Sequence, residues 1–338
     1  MNFSLSTLAG AVAALAVFSA PATARDQLQI SGSSTVLPYA SIVAEAFGEN
    51  TKFKTPVVEG GGSSAGIKRF CEGVGANTID IANSSRKIRS SEISTCKKNG
   101  VTEIIEVEFG YDGIVFASDR NGPAFAFTPS MWYDALAAEV VVNGKLVPNP
   151  YKKWSDIKPN LPNKEILVFI PGTKHGTREV FEEKVIDKGC KMFEADKAFK
   201  GRDGDAKGCL KLRKDNRVVE IEGDYTETLA RLKSNKNGVG VFGMSFYENN
   251  TNSLRVATFQ NVIPTPATIA NGTYSVSRPL YFYIKKAHLS VIPGLKEYAE
   301  FFVSNAMAGK GGPLEAYGLV PTPKLKSVQD TVAKGQKL

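Results

Sequence analysis

Histidine is scarce in this chain, and cysteine is little more common. Among 338 residues there are two histidines, His175 and His288, and four cysteines. Metal centres draw most of their ligands from these two residue types and from clustered carboxylates, and no such carboxylate motif stands out. We therefore expect no metal site, no cofactor and no metal-dependent enzyme. Zinc-finger spacings and aromatic stacking motifs are missing too, which argues against a nucleic-acid partner.

Charged side chains are missing from the first 24 residues. An apolar run extends from Leu8 to Phe18, and Ala22-Thr23-Ala24 matches the A-x-A pattern that signal peptidase cleaves. The run is shorter than the ~20 residues that a membrane span needs. The sequence thus predicts a signal peptide over 1–24 and a mature chain from Arg25. No cysteine lies near the cleavage site, so we expect a periplasmic protein without a lipid anchor.

Four cysteines in an exported chain indicate two disulfides, for which three pairings exist. Pairing Cys71 with Cys96 and Cys190 with Cys209 closes two loops of about 20 to 25 residues, each worth roughly 3 kcal/mol in the chain-entropy model. Crossed pairs would tie the two halves of the chain together and oppose their relative motion. We favour the two short pairs.

Positive charge is in excess, with 42 Lys and Arg against 34 Asp and Glu and a net charge of +8. This balance fits an anionic ligand, although it also fits a solvated basic face. Short apolar strands alternate with amphipathic helices from Leu28 onward, which predicts an α/β fold with parallel strands. No repeat or low-complexity linker divides the chain, so two lobes would be joined by crossing strands.

Three segments share one design, in which a strand ends in Gly, Ser or Thr and a helix follows at once. They are Ser31-Gly-Ser-Ser-Thr-Val-Leu-Pro38, Gly60-Gly-Gly-Ser-Ser-Ala-Gly66 and Pro171-Gly-Thr-Lys-His-Gly-Thr-Arg178. A helix N-terminus presents unpaired N–H groups and the positive end of its dipole, and glycine lets an anion approach closely. Taken singly, each turn is an ordinary N-cap. If the three converge, they form an anion-binding cage.

These segments and several others resemble the phosphate-binding protein family of ABC importers. The resemblance rests on Gly32-Ser-Ser-Thr-Val-Leu-Pro38, Gly61-Gly-Ser-Ser-Ala-Gly-Ile-Lys68, Asp80-Ile-Ala-Asn-Ser-Ser-Arg86, Tyr111-Asp-Gly113, Gly176-Thr-Arg-Glu179, Gly238-Val-Gly-Val-Phe242, Ser277-Arg-Pro-Leu-Tyr281 and Tyr317-Gly-Leu-Val-Pro321. It implies a type II periplasmic binding fold with two α/β lobes joined by two crossing strands. Lobe I would take 25–112 and 260–338, and lobe II 113–259. The protein would capture inorganic phosphate as a monomer and deliver it to an inner-membrane permease.

The resemblance also implies a set of phosphate ligands. By position they are Ser34, Thr35, Val36, Ser63, Gly176 and Thr177. The chain departs from the family at three places: Ser85 followed by Arg86 replaces an aspartate, His175 a serine, and Pro171 an arginine. We expect Ser85 and His175 to face the anion, and Arg86, or else Arg178, to supply the missing positive charge, because arginine is the natural bidentate partner of phosphate.

Two other functions stay open at this stage. The residues alone indicate only a tetrahedral oxyanion, so sulfate or molybdate are alternatives; a carboxylate such as Asp112 would favour protonated phosphate over sulfate. Ser64 and Asp112 are weaker candidate ligands. Gly62-Ser63-Ser64-Ala65-Gly66 also matches the nucleophile turn of a serine hydrolase, with His175 or His288 as base. We expect His288 to be a solvated surface residue.

Overall fold

The protein is described from a computed structural model, which covers residues 25–173, 175–223 and 225–338. The predicted signal peptide lies outside the described residues. The strands are β1 (Gln29–Gly32), β2 (Val57–Gly60), β3 (Ile81–Ser84), β4 (Ile104–Asp119), β5 (Ala126–Phe127), β6 (Glu139–Val142), β7 (Lys145–Pro148), β8 (Val168–Pro171), β9 (Val218–Ile221), β10 (Val239–Gly243), β11 (Leu254–Val256), β12 (Thr258–Phe259), β13 (Ser277–Lys285) and β14 (Val320–Pro321).

Short helices cover the strands. They are α1 (Leu37–Asn50), α2 (Ser63–Phe70), α3 (Ser90–Lys98), α4 (Pro129–Leu136), α5 (Trp154–Ile157), α6 (Gly176–Phe181), α7 (Asp187–Met192), α8 (Ala195–Asp203), α9 (Tyr225–Ser234), α10 (Met244–Glu248), α11 (Pro266–Ala270), α12 (Leu295–Phe302), α13 (Asn305–Ala308), α14 (Pro313–Tyr317) and α15 (Leu325–Lys334). A π-helical turn, Glu182–Ile186, joins α6 to α7. No helix in the described part of the chain is long and apolar enough to cross a membrane.

One curled sheet organises the molecule, with strand order β2-β1-β3-β13-β4-β10-β8-β9. Strands β1, β2 and β3 are mutually parallel at one end, and β8, β9 and β10 are parallel at the other. Strands β4 and β13 lie antiparallel between these two groups. Helices and parallel strands in this arrangement confirm the predicted α/β class.

Strand β4 runs through both halves of the sheet. The local sequence predicts separate extended segments at 104–107 and 114–117, whereas the structure has a single strand of 16 residues. Its residues up to Gly113 pair with β13, and those from Ile114 pair with β10. Acidic side chains in the first part are held by tyrosines of β13: Tyr281 donates to Glu108 at 3.0 Å and Tyr283 to Glu106 at 3.1 Å. These bonds let charged residues stay in a continuous strand.

Apolar side chains form two main cores on the two sides of the Asp112/Gly113 point. One core contains Phe47, Phe109 and Tyr298, and the other contains Trp132 and Trp154. The second core also takes five residues from the ranges predicted for lobe I. These are Tyr111, Ile269, Tyr274, Val276 and Val320. The lobe boundaries themselves remain a prediction.

The two predicted disulfides are confirmed. Cys71 is bonded to Cys96 across 25 residues, and Cys190 to Cys209 across 19. The first links the end of α2 to α3, and the second links α7 to the 3₁₀ turn Lys207–Leu210. Each therefore joins neighbouring elements of one half and leaves the two halves untied.

The prediction that His288 is solvated was wrong, because this residue is buried. Its Nε2 accepts a hydrogen bond from the Gly75 amide at 3.1 Å, so the ring proton lies on Nδ1. Nδ1 donates to Asp80 at 2.7 Å. The neighbouring Lys285 is buried as well and donates to the Gly73 carbonyl at 2.6 Å. The loop between α2 and β3 covers this end of β13, which the local sequence does not reveal.

Candidate functional site

The first two predicted turns lie at one edge of the sheet, because both follow the carboxyl ends of the parallel strands β1 and β2. In the first turn, Ser33 Oγ accepts the amide of Thr35 at 3.2 Å and that of Val36 at 3.4 Å. Thr35 and Val36 are buried, whereas Ser34 is exposed. The two amides therefore already have an acceptor, and the group through which Thr35 can contact a ligand is its side-chain hydroxyl.

The second turn and the loop after β3 form a cluster of their own. Ser63 Oγ lies 3.2 Å from Ser85 Oγ and accepts the Ser85 amide at 3.1 Å. Next to them, Arg86 donates to Ser64 Oγ at 2.9 Å. The Arg86 guanidinium also holds the Glu92 carboxylate in two bonds, at 2.7 and 2.9 Å. The structure thus brings these four predicted ligands together, but with the arginine already paired.

The second predicted cation is paired as well. Arg178 is buried and holds Glu182 at 2.7 Å through Nε and Glu220 at 2.6 Å through Nη1. It also donates to the Pro171 carbonyl at 3.0 Å. This arginine therefore fastens α6 to the end of β8, and its charge is balanced where it lies.

A third arginine, Arg278, is the cation that the sequence analysis missed. It lies on β13, is only 5% exposed, and donates through Nη2 to Thr35 Oγ1. Its Nε has no hydrogen-bond partner within the described residues. The missed signal was an arginine in the mostly apolar strand Ser277–Lys285, since an unpaired buried charge is costly.

Three carboxylates surround Arg278. Asp112, its direct neighbour on β4, has Oδ2 at 3.8 Å from Nε and without a hydrogen-bond partner in the described structure. Burial raises the pKa of the Asp112 carboxyl; Arg278 opposes this rise and Glu179 adds to it. Glu179 and Glu183 approach from the opposite half, at 3.8 and 3.5 Å from the guanidinium. Glu179 also accepts the Thr35 hydroxyl at 3.3 Å.

The third predicted turn comes from that opposite half, between β8 and α6. It directs Thr177 Oγ1 to a hydrogen bond with the Tyr225 hydroxyl. His175 is half-buried, and its Nε2 lies 3.4 Å from the Glu222 carbonyl. Helix α6 begins at Gly176, so Thr177 lies in its first turn and His175 directly precedes it.

A cavity of about 360 Å³ lies where the turns of the two halves meet. Of the predicted ligands, four line it: Thr35, Asp112, His175 and Thr177. Seven other predicted ligands that the structure describes lie outside its lining. They are Ser34, Val36, Ser63, Ser64, Ser85, Arg86 and Arg178. Pairs of aromatic rings, Tyr39 with Tyr317 and Tyr225 with Phe246, form much of the remaining wall. The first and third turns therefore converge on one cavity.

A family model, the PBP superfamily domain, matches residues 19–306 of the chain. The chain belongs to the PBP superfamily. Among curated proteins it is 28% identical over 298 residues to Protein SphX of Synechococcus elongatus, which covers 86% of this chain and 76% of that protein. It is also 28% identical over 298 residues to Phosphate-binding protein PstS of Staphylococcus saprophyticus, covering 87% and 79%.

Solved structures agree on the fold. The crystal structure of a possible phosphate binding protein from Planctomyces limnophilus superposes with a TM-score of 0.69 at 24% identity, over 93% of this chain and all of that one. PstS from Borrelia burgdorferi gives a TM-score of 0.55 at 19% identity, over 83% and 93%. The predicted periplasmic binding protein fold is thereby confirmed.

Ser63 lacks the surroundings of a hydrolase nucleophile. The described partner of its hydroxyl is Ser85. His288 is engaged with Asp80, and His175 lines the cavity. Neither imidazole has a hydrogen bond to Ser63 in the described structure, so the arrangement offers this hydroxyl no general base. The family, moreover, is one of solute-binding proteins.

Proposed function

We propose that this protein is a periplasmic phosphate-binding protein that captures inorganic phosphate in the cavity between its two halves and delivers it to an ABC permease. It is exported by a signal peptide cleaved after Ala24 and acts as a freely diffusing monomer, not as an enzyme. Lobe I comprises 25–112 and 260–338, and lobe II comprises 113–259. The name of the Staphylococcus saprophyticus relative, Phosphate-binding protein PstS, supports this ligand.

One observation carries the proposal: the Glu179 carboxylate contacts the groups that an oxyanion would use. One Glu179 oxygen lies 3.3 Å from Thr35 Oγ1 and 3.8 Å from Arg278 Nη2. A phosphate oxygen needs the same two donors, a hydroxyl and a guanidinium, and arginine binds it with strong charge-assisted bonds. Glu179 thus stands in for the ligand, and phosphate takes its place when it binds.

The unpartnered atoms next to this point support the same ligand. Arg278 Nε and Asp112 Oδ2 both lack hydrogen-bond partners in the described structure. A phosphate that carries a proton can accept from Nε and donate to the carboxylate at once. Sulfate has no proton at neutral pH and cannot donate. Asp112 therefore favours phosphate over sulfate. The resemblance would give this role to the aspartate that Ser85 replaces.

Titration of the mature chain with phosphate and with sulfate in parallel tests the proposal. Isothermal titration calorimetry should give one phosphate per chain and sulfate binding weaker by at least about tenfold, the effect of one unsatisfied polar group. Small-angle scattering of the same samples should show compaction with phosphate, since the ligand bridges the halves. Equal binding of sulfate would contradict the ligand, and an unchanged radius of gyration would contradict the closure.

A further inference from the structure

The cavity is larger than inorganic phosphate requires. Its volume is about 360 Å³, within the ~300–1,000 Å³ that is usual for small organic ligands. A phosphate ion has five heavy atoms and displaces roughly two or three water molecules, each with about 30 Å³ of liquid volume. The anion therefore fills only a part of the space.

The spare space persists although the two halves already touch. Thr35 on one side is hydrogen-bonded to Glu179 on the other, and Arg278 reaches both Glu179 and Glu183. These contacts close the polar end of the cleft. The remaining volume is thus not simply the gap of a fully open cleft.

Aromatic rings from both halves line this remaining part. Tyr39 and Tyr317 meet edge to face with centroids 5.4 Å apart. On the other side, Tyr225 and Phe246 lie 5.3 Å apart. Tyr317 is 52% exposed and therefore forms a rim that a ligand can cover. A fully hydrated anion gains nothing from such walls, whereas an apolar or aromatic group is stabilised by them.

We propose that the cavity also binds organic phosphate monoesters, with the phosphoryl group at Arg278 and Thr35 and an apolar or aromatic ester group between the two aromatic pairs. This inference rests on the proposed function, because the phosphoryl group uses the same anion-binding end. A monoester that carries one proton, the form populated at and below its second pKa of about 6, keeps three phosphoryl oxygens: two accept from the guanidinium and the Thr35 hydroxyl, and the protonated one donates to Asp112. The chain would then capture both inorganic phosphate and small organic phosphates.

Calorimetric titration at about pH 6, where a monoester still carries a proton on part of its population, with phenyl phosphate beside inorganic phosphate tests this inference in three variants of the mature chain. Tyr317→Ala removes an exposed ring from the cavity wall, and Phe246→Ala removes a ring from the wall of the opposite half. Phe193→Ala is the control, because it removes an aromatic ring that lies outside the cavity lining. We expect phenyl phosphate to bind wild type within about tenfold of inorganic phosphate or more tightly. Tyr317→Ala should weaken phenyl phosphate roughly fivefold more than it weakens inorganic phosphate, the usual scale of an aromatic contact. Phe193→Ala should change neither.

The titrations distinguish failure of this inference from failure of the proposed function. If inorganic phosphate binds and phenyl phosphate is more than about tenfold weaker, the inference is overturned while the proposed function stands. If phenyl phosphate binds but neither Tyr317→Ala nor Phe246→Ala weakens it selectively, the ester group does not lie between the aromatic pairs and the inference is again wrong. If neither ligand binds, the proposed function itself fails.

Discussion

Two buried charge clusters on the same sheet differ in how completely they are satisfied. In the first, Asp80 accepts hydrogen bonds from Arg25 at 2.5 Å, from the Gln29 amide at 2.8 Å and from His288 at 2.7 Å. In the second, Arg278 and Asp112 face each other at 3.8 Å, and each keeps an atom without a partner in the described structure.

The difference separates a structural network from a binding site. A fully bonded polar network stabilises the fold and has no capacity left for a ligand. An unsatisfied buried donor and acceptor cost free energy in the empty protein, and a ligand that satisfies both recovers that free energy. The Asp80 cluster therefore anchors the first residue of the predicted mature chain, whereas the Arg278 cluster is available to an oxyanion. The following substitutions test this contrast.

The largest effect should come from Arg278→Gln. Removing the buried cation takes away the charge that faces the ligand, so phosphate affinity should fall by about a thousandfold, or about 4 kcal/mol. Arg278 contacts Thr35, which lines the cavity, whereas Arg86 already holds Glu92 and Ser64, so Arg86→Gln is the matched control. Its affinity for phosphate should stay near that of wild type by calorimetry. A loss in Arg86→Gln with none in Arg278→Gln would reverse the assignment and restore the sequence expectation.

Asp80→Asn should act on stability and not on binding. The substitution leaves Arg25 beside a neutral amide, and breaking a buried ion pair costs about 3 kcal/mol in the free energy of unfolding. Urea denaturation measures that loss, and titration of the folded variant should give the wild-type phosphate affinity. Asp330→Asn, in an exposed pair with Lys326, is the control and should leave stability unchanged. A large loss of phosphate affinity in Asp80→Asn would mean that the two clusters are coupled.

The smallest effect should come from Glu179→Gln. The wild-type carboxylate competes with phosphate for Thr35 and Arg278, so its neutralisation should tighten phosphate binding by roughly three- to tenfold, or about 1 kcal/mol. Glu182→Gln, one turn further along and bonded to Arg178, is the control and should bind phosphate as wild type does. Weaker binding in Glu179→Gln would indicate that this carboxylate accepts a proton from the bound anion.

The sequence predicted the fold class, the disulfide pairing and the two turns that carry Thr35 and Thr177, because these follow from local patterns. Strand endings, helix starts and loop lengths are each encoded within a few residues. The continuity of β4 was missed because its glutamates depend on tyrosines of β13, more than 170 residues away along the chain.

The charge at the site was not predicted for the same reason. Arg86 and Arg178 lie near the turns in sequence, but each folds onto a nearby glutamate. Arg278 meets Thr35, which lines the cavity, across 243 residues, and the pairing of β13 with β4 places it opposite Asp112. His288 was likewise expected at the surface, because nothing local reveals the loop that covers it. Long-range pairing decided each of these cases.

A crystal structure of the mature chain with bound phosphate would show which groups hold the anion. We predict a phosphate oxygen within about 3.2 Å of Arg278 and another beside the Thr35 hydroxyl, with the Glu179 carboxylate displaced from both. The Asp80 cluster should be unchanged. A phosphate bound instead among Ser63, Ser85 and Arg86, with Glu179 still on Thr35 and Arg278, would contradict it.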